Sequence, residues 1–208
     1  MFFSKQMVSR ESSLQGRTEP LEIDKFHYIN QMPMRPPFEE GSELIILAMG
    51  CFWGAERRFW QQKGVSVTAA VYVGGYTPNP TYEEACSGLT GHTEGVMVVY
   101  NPTTTNLNRL LKVFWESHDP TQGMRQGNDV GTQYRSGVYC KNKEQLQIAL
   151  DSKSAAQRLL KARGYGSITT DVELVSDYYY AEGYHQQYLA KNPNGYCGLR
   201  GTGIYCEG

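Results

Sequence analysis

The chain has 208 residues, 40% of them hydrophobic, which suits one domain with extensions and a core of its own. Its 20 Lys and Arg against 21 Asp and Glu leave a formal charge of -1, so charge gives no reason to expect nucleic acid or an anionic membrane as partner. No apolar run approaches the length of a membrane span, and five scattered cysteines are too few for a disulfide scaffold.

Residues 1–42 lack steady periodicity and carry the polar stretch SRESSLQGRTEP and the Pro-rich MPMRPPFEEG. They read as an N-terminal extension that packs on the surface or stays mobile. The first 15 residues hold charges but no apolar stretch of about 7–15 residues, so no secretory signal is expected. Glu11 and Glu19 speak against a transit peptide, and a cytoplasmic protein is the expectation.

From Glu43 the pattern changes, and residues 43–208 read as the folded domain, with a tail from about 190. ELIILAM (43–49) is a buried strand closed by Gly50. AERRFWQQ (55–62) is a short helix ended near Gly64, and VSVTAAVYV (65–73) is a second strand stopped by Gly74 and Gly75. Thr81 and Glu84 have capping-box spacing, so TYEEAC opens a helix. EGVMVVY (94–100) is a third strand, and Leu107, Leu110, Leu111, Phe114 and Trp115 recur at helical spacing.

After the polar stretch HDPTQGMRQGNDVGT, a strand is expected around QYRSGVYC (133–140). A helix over 143–163 follows, with Gly164 at its C′ position, and then a fifth strand in SITTDVELV (167–175). Beyond Tyr184 the chain runs into a Gly-rich tail. Strands alternating with helices, without internal repeat, suggest an α/β or α+β layer of helices against one mixed sheet, and α+β is the expected class. The expected form is a two-layer sandwich, one mixed sheet with helices packed against it, plus an irregular C-terminal tail.

Cys51 lies where a strand gives way to a helix, beside Phe52 and Trp53. A helix N-terminus favours thiolate over thiol, while Gly50 and Gly54 keep bulk away from the sulfur. Position alone fits a buried structural cysteine equally well. Cys197 and Cys206 sit in YCGLRGTGIYCEG, a glycine-rich loop able to close into a disulfide and to exchange with Cys51. Glu94 opens a strand and would serve as an acid in an apolar pocket; Tyr82 and Tyr134 offer hydroxyls, and Asp129 sits in GNDVG. Each of these has a bland alternative: a solvated Glu, a core Tyr, a turn Asp.

GCFWGAER, GGYTPNPTYEEACSG, GHTE, GNDVGTQYRS, HQQYLAKNPNGYC and the Gly-rich Cys tail together resemble the A-type peptide-methionine (S)-sulfoxide reductases, in family order over residues 42–206. Such enzymes restore oxidised methionine. The resemblance implies Cys51 as nucleophile and Phe52 and Trp53 as walls for the substrate's S-methyl group. Glu94, Tyr82 and Tyr134 become donors to the sulfoxide oxygen, with Asp129 helping to hold the substrate. Cys197 and Cys206 become the first and second resolving thiols. The resemblance further implies thioredoxin as reductant, methionine sulfoxide free and in proteins as substrate, and no cofactor or metal; a monomer is expected.

Other chemistries remain open to the residues. His185, Cys197 and Cys206 are zinc-ligand types, although C-x₂₋₄-C spacing is absent. A cysteine hydrolase would pair Cys51 with His92, His118 or His185. No C-x-x-C occurs for a thioredoxin-like enzyme, and a non-catalytic binding module is a further class. Cys86 and Cys140 have no partner at a motif spacing and read as structural.

Overall fold

A computed structural model describes residues 6–206. The elements in chain order are β1 (Glu43–Met49), α1 (Phe52–Trp60), β2 (Val65–Val73), α2 (Tyr82–Cys86), β3 (Thr93–Tyr100) and α3 (Leu107–Ser117). Then come the two-residue strands β4 (Arg125–Gln126) and β5 (Asp129–Val130), β6 (Ser136–Cys140), α4 (Lys143–Ala162), β7 (Asp171–Leu174), β8 (Tyr178–Tyr180) and α5 (Tyr188–Lys191).

Six strands form one mixed sheet in the order β7-β6-β1-β3-β2-β8, antiparallel throughout except for the parallel pair β6 and β7. The central strands β1, β2 and β3 are nearly continuous apolar runs because both of their faces are covered. Alternation divides their side chains. Ile45, Leu47, Met49, Ala70, Tyr72, Val96 and Val98 point toward α1, α3 and α4, packing against Phe59, Phe114, Trp115 and Leu160. Ile46, Ala48, Val67, Val71, Met97 and Val99 point to the opposite face.

Among the described residues no helix covers that opposite face. It is covered by the N-terminal segment, whose Met34 is fully buried and whose Ile23, Met32 and Phe38 pack against the same cluster. Of the two fates left open for residues 1–42, the described part packs, and it supplies core rather than surface decoration. The fold is thus α+β as expected, with the helices as one layer and coil on the far side of the sheet.

Boundaries differ where tertiary contacts decide them. α1 begins at Phe52, a turn earlier than its apolar spacing suggests, with Cys51 in the N-cap position and Phe52 N–H paired to Glu94 Oε2. The expected strand over 167–175 shortens to the four residues that pair with Gly137–Cys140. Thr132–Tyr134 turns as a 3₁₀ helix, so β6 starts at Ser136. β8 and α5 were not legible in the pattern; β8 exists because three tyrosines pair with Val71–Val73 at the sheet edge.

Candidate active site

Cys51 occupies the joint between β1 and α1. Gly50 before it adopts φ +87°, and a Cβ there would sit 2.6 Å from Gln126 Cβ, so the tight turn admits only glycine. The free N–H groups of the first turn of α1 are shared. Phe52 N–H donates to Glu94 Oε2 at 3.0 Å, and the Trp53 backbone N–H lies on the Cys51 side, where it favours the ionised sulfur.

The sulfur is not the resting thiolate that a helix start suggests. Burial pushes the Cys51 thiol well up, the neighbouring Glu94 carboxyl adds to this, and the Trp53 N–H opposes it. Glu94 is 2% exposed and points to the helix face of β3, directly across from Tyr72. Burial raises its pKa to about 8, against the Phe52 N–H, with Asp129 reinforcing the shift. A neutral carboxyl whose Oε2 already accepts from Phe52 leaves Oε1 to carry the proton. The site therefore stores a thiol and a protonated acid side by side.

One cavity of about 240 Å³ is lined by Cys51, Phe52, Trp53, Tyr82, Glu94, Asp129, Tyr134 and Tyr196. Seven of these eight are the residues expected from the sequence, drawn from α1, α2, β3, β5 and the turn before β6. Burial raises the Tyr82 and Tyr134 phenols, which stay protonated as hydrogen-bond donors. Thr93 Oγ1 donates to Gln133 O at 2.9 Å and to Arg135 O at 3.0 Å, pinning the Tyr134 turn to the start of the strand that holds Glu94. Buried Arg135 locks the same turn through Thr132 O and Gly74 O.

Tyr196 is the residue that the sequence reading missed. Its hydroxyl donates to both Asp129 oxygens at 3.3 Å, closing the cavity from the C-terminal side. The only hint in the sequence is an aromatic adjacent to Cys197. Also missed was the packing behind the aromatic wall. Trp53 stacks on Tyr188 with centroids 3.9 Å apart, and its indole N–H donates to His185 Nδ1 at 3.0 Å. The His185 ring lies 4.8 Å from Phe52 and 4.7 Å from Tyr82, so one imidazole backs three cavity residues.

His185 is pulled down to about 4 by burial and is neutral. His92 faces Gly75 N and Thr77 O, and His118 faces Phe114 O and Ser136 Oγ. Among the hydrogen bonds of the described residues, none joins a histidine to Cys51, so the hydrolase pairing has no geometric basis here. No group of three His, Cys, Asp or Glu among them is disposed to hold a metal ion, including His185, Cys197 and Cys206. Cys86 ends α2 half-buried, and Cys140 is fully buried in β6.

The two tail cysteines lie apart. Cys197 is exposed, and a Cβ on Gly54 would come 3.0 Å from its sulfur, so the glycine in the first turn of α1 makes room for this thiol. Cys206 is docked on α3 instead: its N–H donates to Glu116 Oε1 at 2.7 Å and its carbonyl accepts from Lys112 Nζ. Cys206 lines a separate groove of about 510 Å³ between α3 and α4, and Ile204 beside it is 2% exposed. The tail is irregular, as expected, but held.

The family model described as peptide methionine sulfoxide reductase matches residues 43–203. The chain is 55% identical to peptide methionine sulfoxide reductase MsrA of Saccharophagus degradans, over 98% of this chain and 97% of that protein. It is 60% identical to the MsrA of Ectopseudomonas mendocina, over 95% and 90%. Among solved structures, methionine sulfoxide reductase A of Corynebacterium diphtheriae superposes with a TM-score of 0.87 at 43% identity, covering 97% of this chain and 98% of that one. Mxr1 from Saccharomyces cerevisiae in reduced form superposes with a TM-score of 0.71 at 32% identity over 84% and 96%, and Mxr1 has also been solved in complex with Trx2. A buried thiol and a protonated carboxyl in one aromatic cavity, on a fold and sequence shared with these enzymes, place this chain in the peptide methionine sulfoxide reductase family, as an oxidoreductase that reduces methionine sulfoxide.

Proposed function

We propose that the chain reduces the S epimer of methionine sulfoxide, free and in proteins, through a relay of Cys51, Cys197 and Cys206. The observation that carries the proposal is the Glu94 carboxyl, held near pKa 8 in the cavity that also contains the Cys51 thiol. A sulfoxide oxygen leaves sulfur only when protonated. Glu94 gives that oxygen a proton while Cys51 attacks the substrate sulfur, with the hydroxyls of Tyr82 and Tyr134 as further donors. Phe52 and Trp53 receive the S-methyl group, and Asp129 with Tyr196 borders the rest of the substrate.

The net step is sulfoxide plus thiol to thioether plus sulfenic acid, so the proton spent by Glu94 is replaced by the one Cys51 loses. Cys197 then attacks the Cys51 sulfur, water leaves, and a Cys51–Cys197 disulfide forms. The exposed Cys197 thiol at Gly54 supports its place as first resolving residue. Cys206 moves the bond to Cys197–Cys206 after the tail leaves its dock on α3. An external dithiol, thioredoxin, reduces it; the structure of the relative Mxr1 with Trx2 supports that partner.

In this reading residues 43–208 are the reductase domain and 1–42 an extension, working as a cytoplasmic monomer. The test is to incubate the fully reduced chain with each sulfoxide epimer without reductant, then count methionine and map disulfides by mass. One methionine per chain and a Cys197–Cys206 bond, from the S epimer only, is the expected result. Turnover of both epimers, or a thiol at Cys206 after reaction, would overturn it.

A further inference from the structure

The N-terminal segment runs along the loop that carries Tyr82. Leu14 N–H donates to Leu89 O at 3.0 Å, and its carbonyl accepts from Thr77 Oγ1 at 2.9 Å. Gly16 takes φ +71°, and a Cβ there would lie 2.3 Å from Pro78 O, so backbone packs directly on backbone. Arg17 follows. Its N–H donates to Pro78 O at 3.1 Å, and Asn79 Nδ2 donates back to Arg17 O at 3.0 Å.

The Arg17 guanidinium forms a fork on Glu84, with Nη2 to Oε1 at 2.7 Å and Nη1 to Oε2 at 2.9 Å. Nη1 also donates to Asn79 O. Glu84 is not a spare surface charge. Its Oε2 accepts Thr81 N–H at 2.8 Å, while Thr81 Oγ1 accepts Glu84 N–H, which is the capping box that starts α2. Tyr82 is the first residue of that helix, and its N–H is taken by Glu182 Oε1 at 2.7 Å. α2 has five residues, too few to hold a helix by its own bonds, so its placement depends on these outside partners.

We propose that Arg17 is a positioning residue for the reductase: by holding the Glu84 carboxylate that caps α2, it sets the Tyr82 hydroxyl against the sulfoxide oxygen. The inference rests on the reading of Tyr82 as a donor to substrate. Arg17 lies outside residues 43–203, the stretch matched by the family model. Its action on chemistry is indirect, through Glu84 and the helix start; its hydrogen bonds go to Glu84, Asn79 and Pro78.

The test is a double-mutant cycle on single-turnover methionine release by the full reduced chain, normalised to reactive Cys51. Arg17→Ala is expected to slow release about fivefold, with Arg17→Lys, which keeps the charge but not the fork, recovering part of the loss. In a Tyr82→Phe background, Arg17→Ala should change the rate by less than about twofold, because the hydroxyl it positions is gone. A Tyr82→Phe defect combined with full multiplication of the two losses overturns the clamp alone. Wild-type release from Arg17→Ala also overturns it. An unaffected Tyr82→Phe variant instead overturns the donor reading, and the catalytic role of Arg17 with it.

Discussion

At Cys51 two effects compete, and their sizes decide the protonation state. The helix start offers one N–H to the sulfur, while burial and the Glu94 carboxyl act against ionisation and win. In the proposed mechanism the thiol proton is released only as the substrate arrives, which would couple Cys51 to Glu94. Glu94→Gln keeps a hydrogen-bond donor but has no proton to give. It should slow single-turnover methionine release by about 100-fold or more. In the unaltered chain the acid is protonated below about pH 8, so this rate should fall as pH rises through that value. Stopped-flow measurement across pH 6–9 checks both points, and a falling limb that persists in Glu94→Gln would assign it to another group.

At the scale of elements, α1 organises the site from both sides. Its N-terminus binds Glu94, its first-turn glycine admits Cys197, and its buried Glu56 anchors the segment behind Trp53. Glu56 accepts Thr68 Oγ1 at 3.1 Å, Gln187 N–H at 2.8 Å and Gln187 Nε2 at 2.8 Å. Burial raises its pKa to about 7 despite these donors. Gly54→Ala would add a methyl 3.0 Å from Cys197 Sγ and 3.2 Å from Leu199 Cβ, while improving the helix locally. The variant should release methionine normally yet form the Cys51–Cys197 disulfide about tenfold more slowly, by loss of near-attack geometry. Trapping of accumulated sulfenic acid with a dimedone-type probe reads this out, and unchanged trapping would refute it. On the other face of the sheet, Met34→Ala should cost about 2–4 kcal/mol of stability, measured by urea unfolding, because the fully buried thioether closes the second apolar cluster.

For the whole molecule, buried titratable groups predict the shape of stability against pH. His27, His92, His118 and His185 are each lowered by burial from 6.5 to about 4. The unfolded chain therefore binds more protons between those values, and stability is lost as pH falls through that window. Glu56 and Glu94 are raised from 4.5 to about 7 and about 8, so their contribution is full below about 4.5 and is lost as pH rises through the folded values. Four histidines outweigh two carboxyls below 6.5, and the carboxyls act alone above it. Stability should peak near pH 6.5. Urea unfolding at pH 5, 6.5 and 8 tests this, and a flat or monotonic series would contradict it.

The elements with strong periodicity were legible because their apolar spacing is local: β1, β2, β3, α3 and most of α4 follow from it. The stretch Cys51–Trp53 could be picked out because a cysteine and two aromatics are contiguous at a strand-to-helix joint, but the roles of nucleophile and walls came from the family resemblance. Glu94, Asp129 and Tyr134 needed family resemblance, since nothing near them in sequence says which face they occupy. Tyr196 and Glu56 were invisible because their partners lie 67 and 131 residues away. By itself, then, the sequence determined the alternation of strands and helices, a candidate cysteine at a helix start and the pair of tail thiols. Only the tertiary structure decided the protonation of Cys51 and Glu94, the docking of Cys206 on α3, and the use of the stretch 23–38 as the second cover of the sheet. The reason is physical: desolvation is a property of everything that surrounds a group, and those surroundings are assembled from segments far apart along the chain.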